Sequence, residues 1–283
     1  MRIFLPVTLL SAFCLSAMAQ TASQMPWYSS ETVVSYASLQ PGPVSPYSLV
    51  TIFGRHLAWD TRFRQHSETE DLLPLILPGS GVTVMVNGLA VPVELVSPEQ
   101  VVFLMPPILG SGEAEVRLVH AGRAGPGVKV IVKEFAPALY LLQEGVALAR
   151  HAESYEWVTP EDPAAPGEEV IVYATGLGPT LPTVEYRRIP REPAEIASRE
   201  DLTVWLNEHP VPDEDISYAG IMPGFPGIYE IRFRLPETLP SNPQVLLQIG
   251  EHTSLEQIRL AVAGDDSPDP EQNESGAKPE PEP

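Results

Sequence analysis

The sequence predicts an all-β chain of two tandem β-sandwich domains, and three observations carry that prediction. First, one motif is written twice: P-Y-S-L-V-T-I-F-G-R-H-L-A-W at 46–59 and P-G-E-E-V-I-V-Y-A-T-G-L-G-P at 166–179. Each is a Pro-led turn, an apolar strand and a polar or Gly-rich exit. Second, later blocks match in the same order: V-T-V-M-V-N-G-L-A-V-P (82–92) with L-T-V-W-L-N-E-H-P-V-P (202–212), then V-V-F-L-M-P (101–106) with I-R-F-R-L-P (231–236). The stretch from Pro106 to Val132 equals that from Pro236 to Val262. Duplication of one small unit explains this most simply. Third, 32 prolines and 20 glycines in 283 residues suit many short strands joined by turns rather than long helices.

The elements follow in order. Residues 1–19 read as a secretory signal peptide: Arg2 supplies the charge, Ile3 to Leu15 a short apolar run, and Ala17-Met18-Ala19 the cleavage site. The run is short for a membrane-spanning helix. The single cysteine, Cys14, lies inside it and is preceded by bulky Phe13, which argues against lipid attachment. The mature chain then has no disulfide and no thiolate chemistry. Residues 20–31 form a polar leader. The first domain, 32–134, takes strands at Thr32 to Ala37, Leu49 to Phe53, Val82 to Val86, Leu89 to Leu95, Val101 to Met105, Ala114 to His120 and Gly127 to Glu134. Asn87-Gly88 is a strong hairpin signal. Arg55 to Gly81 is a long connection.

Phe135 to Tyr140 opens the second domain, 135–263, and Ala136-Pro137-Ala138 leaves little slack at this junction, so a nearly fixed angle between domains is expected. Leu148 to Glu156 reads as a strand or short helix. Strands follow at Val170 to Ala174, Leu202 to Leu206, Ile228 to Leu235, Gln244 to Ile249 and Gln257 to Ala263, and Glu185 to Arg199 is a charged insertion with room for a helical turn. The second copy carries ten extra residues between its Asn and its Pro, placed in Y-A-G-I-M-P-G-F-P-G. Residues 264–283 hold seven acids, one lysine and five prolines. Such a tail buries too little apolar surface to offset its ordering entropy and reads as disordered.

The segments Y-A-T-G-L-G-P (173–179) and Y-A-G-I-M-P-G-F-P-G-I-Y-E-I-R-F-R-L-P (218–236) resemble an uncharacterised C-terminal domain family of secreted acidobacterial proteins. The chain has Glu230 and Arg232 where that family usually has Gln and Asn. The first copy, with I-F-G (52–54), V-N-G (86–88) and S-P-E-Q-V (97–101), resembles the first half of the same unit and is similar to IPT/TIG domains. The resemblance spans roughly 32–263. It implies a secreted module of two immunoglobulin-like β-sandwiches and carries no activity with it.

The formal net charge of −20 disfavours nucleic acid and anionic membrane surfaces as partners. The six histidines (His56, His66, His120, His151, His209, His252) form no H-x-x-x-H or H-E-x-x-H pair. There is no G-x-S-x-G elbow. Asp213-Glu214-Asp215 and Glu68-Thr69-Glu70-Asp71 are the dense acidic clusters; they lack EF-hand spacing and read as solvated turns, with weak calcium binding the alternative. Gly176-Leu177-Gly178-Pro179 lacks G-K-[ST] and reads as a tight turn using glycine's positive φ. No cofactor motif is found. The group richest in alternatives is Tyr218, Met222, Pro223, Phe225, Pro226 and Tyr229, read as an apolar, Pro/Gly-stiffened loop unique to the second copy. Exposed, it is a partner or glycan-stacking surface, with Tyr218, Met222, Phe225 and Tyr229 as the candidate binding residues; folded over the sandwich end, it is a core plug. Trp59, Trp157 and Trp205 can also stack on sugars. The expected function is non-catalytic: extracellular or periplasmic binding, adhesion or scaffolding with a protein or glycan partner. An accessory carbohydrate-binding protein is the alternative, and an enzyme with a site assembled from distant loops the third.

Overall fold

The computed structural model describes residues 25–65 and 71–264. The signal-peptide pattern, the acidic tail beyond Gly264, and His66, Glu68 and Glu70 lie outside the described residues. The fold is all-β. The first domain holds β1 (Val33–Ser35), β2 (Leu49–Phe53), β3 (Arg62–Phe63), β4 (Val82–Val86), β5 (Leu89–Val91), β6 (Val93–Val96), β7 (Gln100–Leu104), β8 (Gly112–His120), β9 (Arg123–Ala124) and β10 (Val128–Val132). One sheet runs β1-β2-β7-β6-β3 and the other β10-β8-β4-β5, all antiparallel. Leaving out the short β3 and β9, this is the strand order of an immunoglobulin-like sandwich. Alternation in V-T-V-M-V buries Val82, Val84 and Val86 against Val50, Ile52, Val101 and Phe103 of the facing sheet.

The second domain holds β11 (Ala138–Leu139), β12 (Leu141–Gln143), β13 (Val146–Ala147), β14 (Ala149–His151), β15 (Trp157–Val158), β16 (Glu169–Thr175), β17 (Thr180–Leu181), β18 (Ala194–Ile196), β19 (Leu202–Leu206), β20 (His209–Pro210), β21 (Ile216–Ile221), β22 (Tyr229–Arg234), β23 (Val245–Ile249) and β24 (His252–Thr253). Its large sheet runs β15-β14-β16-β22-β21-β18-β17, with β11 also on β16, and its small sheet β20-β19-β23-β24. The series β14-β16-β22-β21-β18 repeats β1-β2-β7-β6-β3, and β20-β19-β23 repeats β5-β4-β8. The repeated blocks therefore occupy equivalent strands. Even the turn chemistry recurs. Asn87 and Asn207 both take positive φ, +49° and +53°. Each side-chain oxygen accepts a backbone N–H from the neighbouring strand, Glu115 at 2.8 Å and Gln244 at 2.9 Å.

Several expectations change. Residues 25–31 are not a detached leader: Trp27 exchanges backbone hydrogen bonds with Arg55. The buried Tyr28 hydroxyl donates to the Pro126 carbonyl (2.6 Å) and accepts from Leu118 N–H (2.7 Å). The expected strand Leu89 to Leu95 is two strands in different sheets, because Pro92 cannot continue a ladder. Residues 148–156 are strand β14 and a turn, with no helix. Gln257 to Ala263 lies beside the small sheet through isolated bridges rather than as a strand. In 185–199 the ordered element is β18, and the short 3-10 turn falls at Arg199–Asp201. Residues 218–229 are a β-hairpin, not a loop. Among the described residues no helix is long and apolar enough to cross a membrane.

Part of the outer face of the first domain's five-stranded sheet is covered by the second domain. Leu49, Leu73, Val102 and Leu104 join the core cluster of the second domain. Leu49 N–H donates to Thr175 Oγ1 (3.2 Å), which donates to the Gly227 carbonyl (2.6 Å). Leu73 N–H donates to Arg187 O, and Ile189 N–H to Asp71 O. The two long insertions thus zip together across the seam, well beyond the Phe135–Tyr140 junction.

Candidate functional site

The hairpin singled out by sequence divides between two roles. Tyr229 is fully buried, and its hydroxyl donates to the Gly178 carbonyl. Burial drives its pKa above the ordinary tyrosine value. Met222 and Phe225 are half-buried in the turn, next to Gly227, whose missing Cβ would lie 2.8 Å from Leu104 Cδ1 and 3.1 Å from Leu49 Cγ. Arg64 reaches the Gly224 carbonyl from the first domain. The turn is therefore packed on the other domain. Tyr218 is different: it projects from the opposite face of β21.

That face is where the side chains with binding chemistry gather. Alternation decides it. In β16 and β22, Val170, Val172, Ala174, Tyr229, Ile231 and Phe233 point into the core. Ile171, Tyr173, Glu230 and Arg232 must point outward. Register then sets a row across five strands. Trp157 lies opposite Arg150, Arg150 opposite Ile171, Ile171 opposite Arg232, and Arg232 opposite Tyr218. At roughly 4.8 Å per strand the row is about 19 Å long.

Local chemistry holds each member. The Arg150 guanidinium stacks over the Trp157 ring, 3.9 Å from its centroid. Trp157 meets Tyr173 edge-on at 6.1 Å. Arg232 pairs with Glu230 at 2.8 Å and lies 5.9 Å from the Tyr218 ring. Burial works against the Arg232 charge, but hydrogen bonding to Glu230 and Tyr155 outweighs it and raises the pKa. Tyr173 is raised by burial first and by Glu230 second, with Arg150 and Arg232 pulling the other way. Glu230 and Arg232 thus form one ion pair at the centre of this face. Gly220 explains Y-A-G: a Cβ there would sit 2.5 Å from the Tyr218 hydroxyl. Lacking one, Gly220 lets the Tyr218 ring lie along its own strand, its hydroxyl donating to the Ile221 carbonyl at 2.8 Å. Tyr155 and Trp157 remain 52% and 40% exposed, so the face presents aromatic surface to solvent.

The other sequence candidates lie apart from this face. Trp205 is half-buried and donates from its indole to Gln248. Trp59 is exposed and edge-on to buried His120, whose Nδ1 is 3.1 Å from the His56 carbonyl. His151 sits between Glu168 and Asp162. Asp213–Asp215 is a 3-10 turn whose Asp213 pairs with Arg199 at 2.7 Å. Gly176 and Gly178 take φ of +82° and +83° and pack against Ala136 and Phe135, the turn role expected of them. Among the described residues no three His, Asp or Glu side chains converge as a metal site.

No protein-family model matches the chain, and no curated protein matches it. Among solved structures, it is similar to the surface glycan-binding protein SGBP-B of the Bacteroides ovatus mixed-linkage glucan utilization locus, solved with a mixed-linkage heptasaccharide. Identity is 10% over 87% of this chain, with a TM-score of 0.36, and the chain spans 47% of that protein. Domains 5–6 of the S-layer protein SbsC match at 11% identity over 86% of this chain and all of theirs, TM-score 0.27. The I9–I11 tandem of titin matches at 9% identity over 83% of this chain and 65% of its own, TM-score 0.23. At such scores the fold is read from the sheets themselves.

Proposed function

We propose that this chain is a non-catalytic binding protein of the extracellular or periplasmic space, and that its ligand is a glycan laid along the row from Trp157 to Tyr218. The location rests on the signal-peptide pattern of residues 1–19. The observation that carries the ligand is the alignment of aromatic rings and guanidinium groups on one sheet face, exposed at Tyr155 and Trp157 and half-buried at Arg150, Arg232 and Tyr218, with Ile171, Tyr173 and Glu230 buried between them. Aromatic side chains offer large, rigid, amphipathic surface at little conformational cost, suited to the apolar faces of sugar rings. Arg150, Arg232 and Glu230 supply hydrogen-bonding groups between them. Because the row is held by sheet register, little ordering is required on binding. Residues 20–283 applied to a glycan array test this. Binding is expected, with a tenfold or greater loss in Trp157→Ala and Tyr155→Ala, the scale of a central aromatic anchor. Absence of glycan binding, or binding indifferent to both substitutions, overturns the reading in favour of a protein partner.

A further inference from the structure

We infer that the glycan taken by this face carries carboxylates, and that Arg150 is their receptor; the inference rests on the glycan-binding reading and specifies its ligand class. The observation is the state of Arg150. The chain has 37 acidic residues against 17 basic ones, so carboxylate partners are abundant. Arg232, two strands away, has one at 2.8 Å. Among the described residues Arg150 has no carboxylate partner: its side chain stacks on the Trp157 ring and acts electrostatically on Tyr173, and its buried Nε has no hydrogen-bond acceptor. A guanidinium stacked on an indole is fixed in plane and partly withdrawn from water, with its remaining N–H groups directed along that plane.

Such a group selects for a planar anion. A carboxylate accepts two parallel N–H bonds from the guanidinium fork, and this charge-assisted pair is about twice as strong as a neutral hydrogen bond. A neutral sugar hydroxyl leaves the charge uncompensated. The sugar ring bearing the carboxylate then lies beside the exposed edge of Trp157 and the Tyr155 ring, which supply the apolar contact. The chemical class is a uronate-containing polysaccharide. The net charge of −20 opposes any polyanion at long range, so binding of a uronate polymer depends on this local contact and strengthens with added salt.

The test is titration calorimetry of the mature chain with polygalacturonate, with the same polymer after reduction of its carboxyl groups, and with dextran sulfate. The expected result is binding of polygalacturonate, at least tenfold weaker binding of the reduced polymer, and at least tenfold loss of polygalacturonate binding in Arg150→Ala. Arg150→Lys, which keeps the charge but not the fork, recovers only part of that loss. An unchanged thermal transition in Arg150→Ala excludes misfolding as the cause. Equal binding of the reduced polymer, unaffected by Arg150→Ala, overturns the carboxylate assignment while leaving glycan binding intact. Equal, Arg150-dependent binding of dextran sulfate also overturns it, by showing a general anion site. Failure of this chain to bind any glycan removes both readings together.

Discussion

Gly227→Ala tests whether the 222–228 turn is a seal between domains. Gly227 takes φ of +77°, and a Cβ there meets Leu104 Cδ1 at 2.8 Å, Leu49 Cγ at 3.1 Å and the Tyr47 carbonyl at 3.1 Å. Two costs add. Positive φ costs alanine about 1–2 kcal/mol. Forcing a methyl into the packed seam costs about 1–3 kcal/mol more. Gly224, three residues earlier in the same turn, has φ of +86° and open space around its Cβ position. Gly224→Ala therefore bears only the first cost. The difference between the two variants, about 1–3 kcal/mol, isolates docking of the turn on the first domain. Urea denaturation of both variants beside the parent measures it. Equal destabilisation by the two substitutions would refute the seal.

Other outcomes follow from the same seam. Arg64 is 3% exposed and pairs with Glu94 at 2.7 Å, so Glu94→Ala strips a buried guanidinium of its carboxylate and should cost about 3–5 kcal/mol by denaturant titration, while Arg64→Met with Glu94→Leu should cost far less. Tyr47, Tyr140 and Tyr229 have pKa values raised by burial. For a raised acid the folded state keeps its proton longer, so the stability is intact below about pH 10 and is lost as pH rises above it. Absorbance at alkaline pH should show these three ionising only with unfolding; their smooth titration in the folded state would contradict the burial. The shared apolar cluster of Leu49, Leu104, Tyr229 and Ile221 fixes the domains, so small-angle scattering should give one narrow distribution of extents rather than a broad one.

What the sequence reveals is local. The strands at Leu49 to Phe53, Val82 to Val86 and Leu202 to Leu206 match to the residue because each alternates or runs apolar between clear turn signals. The duplication is legible because both copies keep the same strands in the same order. Where punctuation is missing, legibility fails. Pro92 interrupts no apolar pattern, so the change of sheet passes unnoticed. Pro223, Gly224, Pro226 and Gly227 make a hairpin turn look like a long loop. Segment 25–31 has no alternation and is held by the Trp27–Arg55 backbone pair and the buried Tyr28 hydroxyl. The binding face is non-local: Arg150 and Arg232 are 82 positions apart and meet only through the register of β14, β16 and β22. Tyr218 and Trp157 are visible as stacking residues in the sequence, but nothing local brings them onto one face. The same sequence cannot reveal that Tyr229 points inward while Tyr218 points outward.

The chain's four tryptophans make the aromatic surface that meets the ligand directly measurable. Trp27 and Trp59 are the more exposed indoles, at 61% and 60%, and belong to the first domain; Trp157 belongs to the proposed face. The measurement is the nitrogen–proton NMR spectrum of the four indole N–H groups during titration with polygalacturonate. The expected result is a saturable shift of the Trp157 resonance alone, lost in Arg150→Ala. A shift at Trp27 or Trp59 with Trp157 unmoved would place binding on the first domain and contradict the account.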